Sequence, residues 1–353
     1  MISMFRAICS TFPIMVCLCW FVTFLLRTRH NDSAQRVLTV FLGVSTVLYL
    51  CHAFYFNGGL STLGESLWAL CSLSVYPLYY IYISRLTCRP LSRKWQMMIL
   101  LPGVFVAIAI LLYCDAVDVV RKLLFVVQVV LVLVFGFRRL KAYDREVANM
   151  YADTEGRDAS AVKTLLVAFV VTSAVSSVVN IIGKQFFVTI DFLAPIAAVF
   201  GVLLYALSYI GYTRNFSPEQ FESNMNANSV DCDAQRAGND DSDEQGRRID
   251  EIIKSKRYLV KNLKITDLAH EAGTCRTYVS NYINKKYNVS FSDYVNHLRI
   301  EHAMRLLREG EERKMAEVAE KSGFSSTQSF YRNFKKFVGM TPIEWQSNFP
   351  DGE

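Results

Sequence analysis

The residue types that act as nucleophiles or metal ligands are present in this chain but badly spaced for either task. Five histidines, His30, His52, His270, His297 and His302, are scattered through 353 residues, and the nine cysteines include no CxxC pair. The sequence has no phosphate-cradling glycine loop and no nucleophile motif. Metal, thioredoxin-like and hydrolytic chemistry find no support, so the expectation is a chain with no catalytic residues, no metal and no cofactor. His270 and His297 read as helix-surface residues. The polar chemistry that is grouped lies after Arg247, on short amphipathic helices broken by glycine. There Thr266 sits where an N-cap belongs, followed by Asp267, Leu268 and Ala269, then Gly273, then a helix bearing Tyr278, Val279 and Ile283. A short helix, a glycine free to take positive φ and a second helix at a steep angle make a helix-turn-helix. The form recurs about fifty residues later: Val318 and Ala319, then Gly323, then Ser325 capping a helix with Phe330 and Phe334.

The elements that must position these helices are legible between the two units. Phe291, Tyr294, Val295 and Leu298 form one i, i+3, i+4, i+7 stripe, and Ile300, Ala303, Met304 and Leu307 form another. Nine residues separate the stripes, which at about 100° per residue turns the second to the opposite side of the helix. One connector therefore buries different faces at its two ends, as packing against two subdomains requires. Residues 247–345 carry 19 Lys and Arg against 12 Asp and Glu, a basic balance that suits a polyanion.

These residues resemble the arabinose-regulator (AraC) type of DNA-binding domain over about a hundred positions. The most specific stretch is Gly323-Phe324-Ser325-Ser326-Thr327-Gln328-Ser329-Phe330-Tyr331-Arg332-Asn333-Phe334-Lys335-Lys336, followed by Gly339-Met340-Thr341-Pro342. Asp267-Leu268-Ala269, Ser290-Phe291, Tyr294-Val295, Arg299-Ile300, Ala303 and Leu306-Leu307 support it. Cys275 stands where a serine cap is usual, Asn288 where glycine is common and Gln346 where arginine is common. The resemblance implies that each second helix enters a major groove, with its first turns facing base edges and flanking cations on phosphates. By position the base-facing residues are Arg276, Thr277, Ser280 and Asn281 in the first unit, and Thr327, Gln328, Tyr331 and Arg332 in the second. Lys285, Lys286, Lys335 and Lys336 are the implied phosphate contacts. The connector would hold the two reading helices about one DNA turn, roughly 34 Å, apart.

The first half has a different character. Uncharged runs at 7–26, 37–55, 67–83, 97–113, 123–137, 164–182 and 192–212 approach the length needed to cross about 30 Å of hydrocarbon. The fifth is the shortest. The connections alternate in basic content. Arg27, Arg29, Arg36, Arg85, Arg89, Arg93, Lys94, Arg138, Arg139, Lys141, Arg145, Arg157 and Lys163 lie on one side, against Arg6, Arg121, Lys122 and Lys184 on the other. Basic flanks stay cytoplasmic, so the N-terminus is expected outside and everything after Tyr212 in the cytoplasm. The first span reads as a permanent helix rather than a cleaved signal, because no small-residue cleavage site follows it. Tyr79, Tyr80 and Tyr82 beside Arg85 read as an interfacial aromatic belt. The spans hold no ionisable Asp, Glu, Lys or Arg; their polar residues are His52, Gln128 and a stripe of Ser173, Ser176, Ser177 and Asn180 on one helix face. Cys17, Cys19, Cys51 and Cys71 fall within spans as small apolar residues; Cys9 and Cys114, both near the outer face, are expected as free thiols, with a bridge between them as the alternative.

Residues 215–246 join the halves, with eight acidic residues against Arg236 alone and almost no aliphatics after Phe221. Such a segment buries too little to fold and reads as a flexible tether, about 30 Å end to end. Ordinary solvation accounts for its charge; occupation of the basic face by the tether is the sharper alternative. The composition excludes a disulfide-stapled secreted domain, a disordered chain and a single soluble enzyme. What remains is an all-α protein: a seven-helix transmembrane bundle at 1–214, an acidic linker at 215–246 and a soluble two-subdomain helix-turn-helix domain at 247–353. The expected function is a sequence-specific transcription regulator in the inner (cytoplasmic) membrane. Its partners would be double-stranded DNA and the lipid bilayer, with a small ligand or membrane partner for the bundle, and a second copy in a homodimer. The alternative is a transporter or channel with a regulatory DNA-binding tail, which intramembrane charges or broken half-helices would have favoured.

Overall fold

The computed structural model describes residues 2–27, 33–57, 61–112, 117–155, 157, 159–182, 193–213, 242–309 and 314–348. Outside them lie most of the linker, together with Arg29, His30, Cys114 and Lys184; of the expected tether only 242–246 are described, and these are helical instead. Among the described residues the molecule is helical throughout; its single β feature is an isolated antiparallel bridge between Tyr151 and Lys264. The chain forms two compact units, Met1–Ala142 with Ala159–Gln220, and Tyr143–Asp158 with Phe221–Glu353.

The first unit contains α1 (Ile2–Arg27), α2 (Ser33–Asn57), α3 (Thr62–Leu86), α4 (Arg93–Leu111), the start of α5 (Val117–Met150), α6 (Ser160–Ile182) and α7 (Leu193–Thr213). Among the described residues, five stretches are long and apolar enough to cross a bilayer: Ser33–Phe54, Thr62–Leu86, Arg93–Leu111, Val117–Met150 and Ile196–Thr213. Thr11–Arg27 and Ser160–Val175 are shorter apolar helices. The run expected at 123–137 is the core of a 34-residue helix that continues through the basic connection.

Within this unit α3 is the hub. Ser66 donates a hydrogen bond to the Ala107 carbonyl of α4 at 2.8 Å, Tyr76 stacks edge-on against Phe125 of α5, and Tyr76 and Ser173 of α6 share a short hydroxyl contact. Tyr79 meets Phe41 of α2 and Phe169 of α6. The belt reading is corrected here: Tyr79 and Tyr82 are 3% and 2% exposed, filling helix packing instead of facing lipid, because α3 is covered on nearly every side. Tyr80 alone of the three is half-exposed, under the Arg139 guanidinium. Of the polar stripe only Ser173 has a described side chain. Large apolar residues instead stand exposed on α4, α5 and α7, among them Phe105, Leu123, Val130, Phe135 and Val202. An apolar face that broad is unfavourable in water and ordinary in hydrocarbon.

The second unit contains α8 (Ser242–Lys254), a 3₁₀ turn (Arg257–Leu259), α9 (Ile265–Glu271), α10 (Arg276–Tyr287), α11 (Phe291–Arg308), α12 (Met315–Lys321), α13 (Thr327–Val338) and α14 (Pro342–Asn348). α11 is the connector: it packs on α10 and the 3₁₀ turn at one end, and on α12 and α13 at the other. Its second stripe joins the distal core, where Ile300, Ala303 and Leu307 are buried with Val318, Ala319, Phe324, Phe330, Phe334 and Trp345. Each such large side chain contributes about 1.5–3 kcal/mol on burial. Two expected caps shift. α9 begins at Ile265, so Thr266 lies inside the first turn and Asp267 accepts the Lys264 amide at 3.0 Å. α13 is capped by Ser326, not Ser325, because the Ser326 hydroxyl accepts the Ser329 amide at 3.0 Å.

Candidate nucleic-acid interface

The turn glycines have the backbone their position requires. Gly273 and Gly323 take φ of 62° and 82°, the left-handed region that a side chain disfavours. At Gly323 space is short as well: a Cβ there would lie 2.5 Å from the Leu259 carbonyl oxygen. The backbone of the second turn is thereby seated directly on the 3₁₀ turn of the first subdomain.

In the second unit the amphipathic α13 divides its residues cleanly. Ser329, Phe330, Asn333 and Phe334 face the core, and Thr327, Gln328, Arg332, Lys335 and Lys336 are exposed. Tyr331 is half-buried with its ring edge-on to Phe330. Lys336 is held by Asp293 of α11 at 2.5 Å, so Arg332 and Lys335 are the more available cations on the open face.

The first unit is more closed. Asn281, Lys285 and Lys286 of α10 are exposed, but Arg276, Thr277 and Ser280 are half-buried. Burial lowers the Arg276 pKa, and the nearby Glu146 carboxylate opposes that shift. Lys286 is engaged by an internal network: its ammonium lies 2.5 Å from Asp250, which also accepts hydrogen bonds from Tyr282 and Tyr287, both at 3.0 Å. These contacts raise the Lys286 pKa, the Asp250 hydrogen bond most, and partly neutralise its charge. Cys275 takes the N-cap position with no side-chain cap bond, and Asn288 ends α10 at φ 55°. Asparagine tolerates that conformation better than other non-glycine residues, which explains its presence where glycine is common.

The twelve sequence-derived positions thus fall on two helices, eight of them exposed. Missed from sequence were residues of the fifth connection, where Glu146, Asp153 and Glu155 belong to this unit. The available signal was length: 138–163 is the longest of the connections and mixes acidic with basic residues. Among the described residues, no group of three His, Cys, Asp or Glu is placed to hold a metal ion.

A family model described as a helix-turn-helix domain matches residues 268–348. An uncharacterized HTH-type transcriptional regulator of Staphylococcus aureus strain MSSA476 is 31% identical over 90 residues, covering 26% of this chain and 12% of that protein. The uncharacterized HTH-type transcriptional regulator YijO of Escherichia coli K12 is 36% identical over 72 residues, 20% of this chain and 25% of its own. The Msm operon regulatory protein of Streptococcus mutans is 27% identical over 85 residues, 24% of this chain and 30% of its own. The chain thus spans under a third of the length of each of these relatives. No solved structure gives a significant match.

Proposed function

Because the C-terminal part of the chain is a helix-turn-helix domain of the arabinose-regulator type, we propose that the protein is a membrane-anchored, sequence-specific transcription regulator. The observation that carries this reading is the pair of helix-turn-helix units on one connector, with exposed polar and basic residues on both second helices. Gln328 and Arg332 have the hydrogen-bonding geometry for adenine and guanine edges, and Asn281 for adenine. Thr327, Tyr331, Arg276, Thr277 and Ser280 complete the reading set; Lys285 and Lys335 contact phosphates, with Lys286 and Lys336 as weaker, already paired members. No catalytic role is assigned to any residue.

The N-terminal unit sits in the inner membrane as a seven-helix sensor or anchor, N-terminus outside and DNA-binding domain in the cytoplasm. Its broad exposed apolar faces and the alternation of thirteen basic residues against four support this placement. The relatives' names, as transcriptional regulators, support the DNA reading of the C-terminal part. The test is to reconstitute the full chain in lipid nanodiscs and select bound duplexes from a random-sequence pool. Enrichment of two half-sites about one helical turn apart is expected; a pool that stays random through repeated rounds rejects the proposal.

A further inference from the structure

Residues 143–158, the last turns of α5 and the connection to α6, fold with the helix-turn-helix units. Their attachment is specific. Tyr151 bridges Lys264, the Ala152 amide donates to the Leu263 carbonyl at 3.0 Å, and the Ala152 carbonyl accepts from Ser292 at 2.8 Å and Asn296 at 2.9 Å. Asp153 is 2% exposed and lies 3.7 Å from Arg299, itself fully buried and donating to the Tyr258 and Val260 carbonyls. This anchor brings one acidic side chain to the cap of α13 and another within electrostatic range of α10. Glu155 accepts a hydrogen bond from Ser326, the cap of α13, and Glu146 lies close enough to Arg276, the first residue of α10, to influence its charge.

A phosphate nearing a helix N-terminus uses the same orphan amides and positive partial charge that a carboxylate uses there. A carboxylate already in place neutralises the site and repels the incoming anion. Because Glu155 holds the cap of α13 and belongs to a segment fastened to the first subdomain, we propose that residues 143–158 are an acidic clamp that competes with DNA for the two helix-turn-helix units. The clamp is continuous with α5 and leads into α6, so movement of those helices is the means of withdrawing it. The inference rests on the DNA-binding reading above.

The test measures binding of a random-sequence duplex pool to the full chain in nanodiscs at fixed ionic strength. The double variant Glu146→Gln/Glu155→Gln is expected to bind about tenfold more tightly than the natural sequence, within the usual range of coupling between sites. Glu301→Gln/Glu309→Gln removes the same charge elsewhere on the unit and is expected to change affinity less than about twofold. Glu146→Asp/Glu155→Asp keeps the charge and is expected to stay weak. Equal gains from both glutamine pairs, or tight binding by the aspartate pair, overturn the clamp. A clamp variant that binds like the natural chain, while Arg332→Ala alters sequence preference, overturns the clamp and leaves DNA reading intact. Absence of binding by every variant at low salt overturns both.

Discussion

Arg299 shows how much one side chain can organise. Its guanidinium, fully buried, is hydrogen-bonded to two carbonyls of the segment before α9 and paired with Asp153. Arg299→Ala leaves that carboxylate buried without its counter-charge and is expected to cost about 3–5 kcal/mol, read as a lower melting temperature of the C-terminal unit. Arg332 and Lys335 separate two kinds of contact. Arg332→Ala is expected to relax preference at one base position by about 1–3 kcal/mol, whereas Lys335→Ala should weaken all sequences alike and lower the salt slope by about one. Binding measured across a mutated operator series and a salt titration tells these apart, and identical behaviour of the two variants refutes the roles. His302 has a pKa held below 6.5 by burial first and by Arg305 and Lys256 second. The unfolded chain therefore binds a proton that the folded chain resists, and the stability of this unit falls as pH drops through 6.5. In His302→Gln that component of the loss disappears, which melting curves between pH 7.5 and 5 would show.

At the scale of elements, the two helix-turn-helix glycines make contrasting demands. Both have positive φ, but only Gly323 abuts backbone, whereas a Cβ at Gly273 meets nothing within 4 Å. Gly273→Ala is therefore expected to cost about 1 kcal/mol from conformation alone. Gly323→Ala adds a clash with the unyielding Leu259 carbonyl and should be several-fold worse, as thermal unfolding of the two variants would reveal. The connector was legible because its two stripes state a period and a phase shift, and Ile300, Ala303 and Leu307 are buried where the second stripe places them. Caps were less legible. Ser325 and Ser326 are adjacent and chemically alike, and only the extended backbone of Ser326, at φ −145°, decides between them. Tyr79 and Tyr82 misled for a related reason: an aromatic beside a basic residue fits lipid interface and helix packing equally well until neighbouring helices are in place.

For the whole molecule, the central expectation is that a reporter fused after Glu353 is active in the cytoplasm and that the chain partitions with membranes; activity only on the far side would sink the regulator reading. Much of the architecture followed from the chain alone. Uncharged runs near bilayer length, basic residues on alternate connections and two glycine-broken amphipathic repeats are all local patterns, and local patterns are written in periods of a few residues. What only the tertiary structure decided is that 143–158 joins residues more than a hundred positions further along the chain, bringing Glu155 to the cap of α13 and Glu146 within electrostatic range of Arg276. No periodicity announces such a pairing. It depends on one backbone bridge, three hydrogen bonds to Ala152 and one buried charge pair, each formed between residues that meet only after the helices have packed.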